Sequence, residues 1–221
     1  MTLREARLDL TRRHRLGMVE AIWGEHKSAD QIVAILRSMQ SAGELALVTR
    51  VDAIKTAAVR DLCPAVQVHE HAACLTLGEI PAAAEAAAVA VLSGGTSDRR
   101  VAEEASLALR VHGVATASFL DVGVAGLHRL LDVLPELRSM RVLIACAGME
   151  GALPTVLTGL VPQPVIGVPV SVGYGVSAGG RAALDGMLAS CAPGLSVVNI
   201  DNGYGAAMAA LRILRGASPQ T

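Results

Sequence analysis

Five short stretches hold the side chains able to do chemistry, and each has a bland reading beside a functional one. In SGGTSD (Ser93–Asp98), Gly94 and Gly95 let the backbone approach a ligand, and Thr96 and Ser97 add hydroxyls. A helix opening at Asp98 would turn free N–H groups toward an anion, so the stretch can receive a phosphate. The same residues also make an ordinary strand–helix turn capped by Ser97 or Asp98. DVGVAGLHR brings Asp121, His128 and Arg129, either a phosphate-facing group or a solvated helix surface. ACAGMEGALP puts Glu150 at the start of a helix, where the helix dipole favours a carboxylate. Glu150 is then a cap, or a group for substrate contact or proton transfer. Cys191 ends SAGGRAALDGMLAS. Leu184, Met187, Leu188 and Cys191 share one helical face, which makes a buried structural thiol the default and a nucleophile the alternative. The negative end of a helix opposes a thiolate, so a nucleophilic Cys191 needs a cationic partner, and a substrate can be that partner. NIDNGYG (Asn199–Gly205) is a polar loop or a plain turn. His69 and His71, in HEH, lack a third ligand at fitting spacing and do not make a metal site.

The elements that must position these stretches fall into two regions, residues 1–85 and 86–221. In the first, Ser28 and Gln31 form a capping-box pattern, followed by the helical stripe Ile32, Ile35, Leu36 and Met39. Leu45–Val51 reads as a strand, Asp52 caps a helix through Leu62, and Val66–His69 and Ala73–Leu77 are strand-like. Pro81–Ala88 connects the regions. The second region alternates regularly. Strands are expected at Ala88–Leu92, Val114–Leu120, Val142–Ala147, Val165–Val168 and Leu195–Ile200. Helices are expected at Asp98–Val111, Ala125–Ser139 (broken near Pro135), Met149–Leu160, Ala178–Ser190 and Tyr204–Leu214. Repeated strand–helix units imply a parallel sheet with right-handed crossovers. Ligands bind such sheets at the carboxyl ends of the strands, where all the chemical stretches of this region except Cys191 fall.

Composition narrows the function classes. The net charge is −1, and the only aromatics are one Trp, two Tyr and one Phe. Such a chain has neither the positive field nor the stacking platform for nucleic acid. Its core must be built from Ala, Val and Leu, which suits buried parallel strands. Residues 151–180 carry no charge, but Pro154, Pro162, Pro164 and Pro169 interrupt them too often for a membrane-spanning helix of about 20 residues. The four cysteines, Cys63, Cys74, Cys146 and Cys191, show no CxxC spacing. With no signal peptide recognisable, a reducing cytoplasm is expected.

Taken together, VAVLSGGTSD, LHR (Leu127–Arg129), ACAGMEGALP and VPQPVIGVPV resemble, in order and spacing, the aminoimidazole ribonucleotide carboxylase/mutase (PurE) family of purine biosynthesis. Three departures set the chain apart from that enzyme. The signature loop begins near residue 90, Ala152 replaces the family's second histidine, and Glu150 and Cys191 are added. These features, with IWGEHKSADQIVAI, LVTRVD, VPVSVGYG and SVVNIDNGYGA, resemble the LarB family, the carboxylases of nickel-pincer-nucleotide cofactor synthesis. Arg99–Arg100 and Leu120 drift from that family's pattern.

The resemblance implies a three-layer, parallel-sheet PurE-like (flavodoxin-like) α/β domain behind a small N-terminal α/β domain. It also implies a reaction: nicotinic acid adenine dinucleotide and CO2 give pyridinium-3,5-biscarboxylic acid mononucleotide and AMP. Cys191 and Glu150 would be catalytic. Gly95, Thr96, Ser97, Asp98, Asp121, His128, Arg129, Gly148, Met149, Ser171, Tyr174, Asn199, Asp201 and Asn202 would bind substrate. Mg2+ is used by family members, no organic cofactor is implied, and a homo-octamer is expected by analogy.

Overall fold

The structure is a computed structural model in which residues 8–216 are described. By its internal contacts the chain divides into Met1–Ala82 and Ala83–Thr221.

The first unit runs α1 (Arg12–Leu16), β1 (Ala21–Trp23), α2 (Ala29–Ser41), β2 (Ala46–Thr49), α3 (Ala53–Leu62), β3 (Gln67–His69) and β4 (Cys74–Leu77). Its sheet has the order β1-β2-β4-β3, with β1 parallel to β2 and the other pairs antiparallel. Both expected helix starts form as read. Ser28 Oγ accepts the Gln31 N–H while Gln31 Oε1 accepts the Ser28 N–H, and Asp52 Oδ1 accepts the Lys55 N–H. The α2 stripe Ile32, Leu36 and Met39 then packs on Val48, Val59 and Leu75. Strand β1 was not anticipated, because three residues are too few to show a period. Trp23 sits on it half-exposed, its Nε1 donating to Glu25 and its edge toward the His26 ring at 4.8 Å.

The second unit runs β5 (Val89–Ser93), α4 (Arg99–Arg110), β6 (Thr116–Phe119), α5 (Leu127–Leu137), β7 (Val142–Ala147), α6 (Ala152–Thr158), β8 (Val165–Pro169), α7 (Arg181–Leu188), β9 (Ser196–Val197) and α8 (Gly203–Gly216). The five-stranded sheet has the order β6-β5-β7-β8-β9, parallel throughout. Strands β5, β7 and β8 are buried along their whole length. They are apolar on both faces, as a sheet covered twice requires. On one face Ala90, Leu92, Leu143 and Ala145 meet Leu130 and Leu137 of α5, Leu153 and Leu157 of α6, and Met187 of α7. Strand alternation leaves Val89, Val91 and Ile144 for the other face, where α4 and α8 pack together. The unit is a three-layer α/β fold.

Several expected bounds are corrected, each for a local reason. The helix expected from Met149 starts at Ala152, because Met149 and Gly151 are left-handed, with φ of 53° and 69°. The helix expected from Ala178 starts at Arg181, since Gly179 and Gly180 are also left-handed after a 3-10 stretch over Gly175–Gly180. Pro135 sits inside α5 without breaking it. It lies near the carboxyl end, where the hydrogen bond it removes is one of the last. The final strand shrinks from six expected residues to Ser196–Val197 at the sheet edge, where only one neighbour, β8, is present.

Candidate active site at the strand ends

The strand order determines where a ligand can lie. Starting from β5, the chain goes to one side to make β6, then returns past β5 to make β7, β8 and β9. The crossovers after β5 and β7 therefore leave in opposite directions and open a crevice between them, the usual ligand position in doubly wound sheets. A cleft of about 450 Å³ lies there. It is lined by Gly94, Gly95, Ser97 and Asp98 after β5, Val124 and Arg129 after β6, Ala147–Glu150 after β7, and Val172–Tyr174 after β8.

Asp98 holds two of these walls together. It is buried, and its carboxylate accepts the Gly95 N–H at 2.8 Å and the Gly148 N–H at 3.1 Å, so one side chain joins the β5 and β7 loops. It reaches back to Gly95 instead of capping α4, for which it forms no side-chain bond. Asp98 does stand at the N-cap position of α4, but its carboxylate closes a capping box with Gly95 and clamps the β7 loop. Burial, and to a lesser degree the charge of Asp201, push the Asp98 pKa above its ordinary value of 3.8 against the pull of those two N–H bonds. The sign follows by linkage. Between the unfolded and the raised folded pKa the folded state holds the extra proton, so stability falls as pH rises through that window. Asp98→Ala is expected to remove this falling segment from a plot of urea midpoint against pH. A profile identical to that of the parent chain would refute the assignment.

The second joint is backbone on backbone. The Met149 N–H donates to the Val172 carbonyl at 3.0 Å, and a Cβ on Gly148 would collide with that same carbonyl. Only glycine lets the β7 and β8 loops meet so closely. Further out, the Ser171 N–H donates to Asp201 Oδ1 at 2.8 Å, and Arg100 approaches the other Asp201 oxygen at 3.8 Å. Glu104, buried in α4, accepts the Tyr204 N–H at 2.8 Å and so fixes the start of α8. Arg100 stands out in the sequence only as a departure from the family pattern, and Glu104 only as a helix residue, since charged residues in the first half of a helix are usually solvated.

The residues singled out from sequence separate into two groups. Gly95, Ser97, Asp98, Arg129, Gly148, Met149, Glu150 and Tyr174 are brought together around the cleft. Arg129 is held by Asp121 at 2.7 Å, which makes Asp121 a support at the rim. Ser171 and Asp201 bond each other behind the β8 loop. Asn202 accepts the Gly205 N–H at the start of α8, and Asn199 Oδ1 accepts the Ile200 N–H. Thr96 and His128 are exposed and outside the lining. Glu150 lines the cleft and does not cap α6.

Cys191 is exposed, which overturns the expectation of a buried thiol. The reason is the early end of α7: Met187 is buried, but Leu188 is 64% exposed, and the apolar stripe does not continue to Cys191. The thiol is not part of the cleft lining. Its neighbour Ser190 is tied to α6, whose Thr155 Oγ1 donates to Ser190 Oγ at 2.9 Å. Gly186 of α7 also abuts the Glu150 carbonyl, with no space for a side chain. By contrast, Cys63, Cys74 and Cys146 are buried. Burial first, then the charges of Asp98, Glu104 and Asp201, push the Cys146 thiol up, so it stays protonated. Among the described residues no three His, Cys, Asp or Glu side chains converge to hold a metal ion. His69 Nε2 instead lies 2.9 Å from Thr76 Oγ1. No described helix is long and apolar enough to cross a membrane.

A switch-point cleft walled by four strand-end loops places the second unit in the doubly wound α/β class. Within that class the chain belongs to the AIR carboxylase family, whose model matches residues 88–221. Residues 1–79 match the LarB/PurE-like N-terminal domain. An uncharacterized protein of Methanocaldococcus jannaschii is 37% identical over 210 residues, spanning 90% of this chain and 80% of that protein. Among solved structures, a PurE2 variant of Treponema denticola is similar with a TM-score of 0.49 and 24% identity, over 59% of this chain and 80% of that one.

Proposed function

We propose that this protein carboxylates the pyridinium ring of nicotinic acid adenine dinucleotide at C5 and releases AMP, yielding pyridinium-3,5-biscarboxylic acid mononucleotide for nickel-pincer cofactor synthesis. The observation carrying this reading is the polarity of the cleft and its surroundings. Gly95, Ser97 and Arg129 line the cleft as phosphate-compatible groups, and Glu150 lines it too, its backbone against Gly186 of the helix that leads to an exposed thiol.

The chemistry needs those groups. A pyridinium carbon is electron-poor and cannot attack CO2. Addition of the Cys191 thiolate to a ring carbon adjacent to C5 forms a C–S bond and moves an electron pair into the ring, leaving a neutral dihydropyridine nucleophilic at C5. C5 then forms the C–C bond to CO2. Glu150 takes the C5 proton, and expulsion of the thiolate restores the aromatic cation. The sum is ring C–H plus CO2 giving ring carboxylate plus a proton. Water then cleaves the phosphoanhydride. Mg2+ is held in such sites through one or two carboxylates and the substrate's own phosphates. The described residues build no protein cage for it, and no step above runs through it.

The test is mass spectrometry of the protein mixed with nicotinic acid adenine dinucleotide, bicarbonate and Mg2+. A product one carboxyl heavier, appearing with AMP, is expected, and its absence would overturn the proposal. Turnover of aminoimidazole ribonucleotide that requires His128 and survives Cys191→Ser would replace it with the purine-pathway reaction.

A further inference from the structure

The residue left without a role by that chemistry is Tyr174. It is the one aromatic side chain lining the cleft, in a chain with only two tyrosines, one tryptophan and one phenylalanine. Large apolar surface of this kind is normally buried, yet Tyr174 is 78% exposed, and its hydroxyl makes no bond within the described residues. The loop carrying it is anchored at its base and exposed at its tip. Ser171 is bonded to Asp201, Val172 to Met149, and buried Ser177 donates its N–H to the Tyr174 carbonyl at 3.1 Å. At the tip, Gly175 has a φ of 56° with nothing around it, and Val176 is 95% exposed. The bonded base holds the ring at the cleft wall, and the tip beyond it stands exposed.

The charge of the cleft says what kind of ring would meet it. Glu150, on the neighbouring β7 loop, and Asp98 line the cleft together with Tyr174, and Arg129 is the only cation among the lining residues, paired at 2.7 Å with Asp121. Acidic groups therefore outnumber basic ones in the lining that Tyr174 shares. A tyrosine face carries negative electrostatic potential and attracts a cation held over it. A flat cation there gains from both the face and the carboxylate, whereas a neutral ring gains only contact.

We propose that Tyr174 is the ring-recognition residue of the cleft, stacking on a flat cationic heteroaromatic ring and selecting it over its neutral, reduced form. This rests on the pyridinium reading of the substrate and adds a specificity determinant to it. Selection of this kind keeps the ring in the only oxidation state open to thiolate addition, because a dihydropyridine has no electron-poor carbon to attack.

The test measures binding of nicotinic acid adenine dinucleotide and of its dihydropyridine form to the parent protein, Tyr174→Phe and Tyr174→Leu. Because Tyr174 is exposed, neither substitution disturbs a core. Tyr174→Leu is expected to weaken the oxidised form about 5–20-fold and the reduced form less than about 2-fold, with Tyr174→Phe within about 3-fold of the parent, the range for a partly desolvated cation–π contact. A long-wavelength charge-transfer absorbance should accompany the oxidised ligand in the parent and vanish in Tyr174→Leu. Equal loss for both forms, or no loss for either, overturns the proposal. Carboxyl incorporation is followed in the same samples. Turnover without Tyr174-dependent selection refutes the ring assignment alone, whereas selection without turnover refutes the reaction and upholds the ring site.

Discussion

Cys191→Ser is expected to abolish carboxyl incorporation, by on the order of 1,000-fold or more, while leaving dinucleotide binding and the folded state unchanged. Loss of a covalent nucleophile removes the step on which all later ones depend, and effects of that size are usual for such residues. The folded state is spared because the side chain is exposed and supports no packing. Two measurements separate the cases. Carbon-13 bicarbonate incorporation reports the chemistry, and titration calorimetry with the dinucleotide reports binding. A variant that still carboxylates the ring at the parent rate would eliminate the thiol-adduct route. Accessibility of the thiol can be followed in parallel, since ligand seated near Cys191 should slow its alkylation while the buried Cys63, Cys74 and Cys146 stay unreactive throughout.

Gly148→Ala is expected to be the most damaging single methyl in the second unit. The added carbon meets the Val172 carbonyl, a backbone group that cannot rotate away as a side chain could. Relief of the clash requires the β7 and β8 loops to part. That breaks the Met149 N–H bond to Val172 and strains the Gly148 N–H bond to Asp98. Overpacking of this kind costs about 1–3 kcal/mol, with the lost backbone bond adding about 1 kcal/mol. Function should suffer more than stability, because both bonds shape the cleft. Dinucleotide affinity is expected to fall by about 10- to 100-fold, a loss of one to two factors of 1.4 kcal/mol. Unchanged affinity, measured by calorimetry beside a urea titration, would show that the loop junction does not shape the binding site.

How far the sequence revealed this arrangement differed by region, and the differences have physical causes. The helix starts at Ser28 and Asp52 were legible because a side chain three residues from a free N–H is a local matter, settled within one turn. Strand β7 was legible to the residue because a fully buried strand is an uninterrupted apolar run. The ends of α6 and α7 were harder. GMEG and AGG carry glycines that turn left-handed, but the apolar spacing beyond them has the period of a continuous helix. The exposure of Cys191 was hidden for the same reason, since a face projected along a longer helix buries a thiol that the shorter one leaves in solvent. The long-range bonds of Asp98 and Glu104 were not legible. Each accepts a hydrogen bond from a residue 50 or 100 positions away, and only the closed sheet brings those partners together.

The placement of Trp23 has a practical consequence for anyone who unfolds this protein. The sole tryptophan lies on β1 of the first unit, and the larger unit contains none. Tryptophan emission during denaturation therefore tracks only the smaller unit, while far-ultraviolet circular dichroism is dominated by the helices and strands of the larger. If the units melt separately, the two signals will diverge, and the optical record of one chain will hold two independent transitions. An emission curve taken alone would assign the whole molecule the stability of its lesser part.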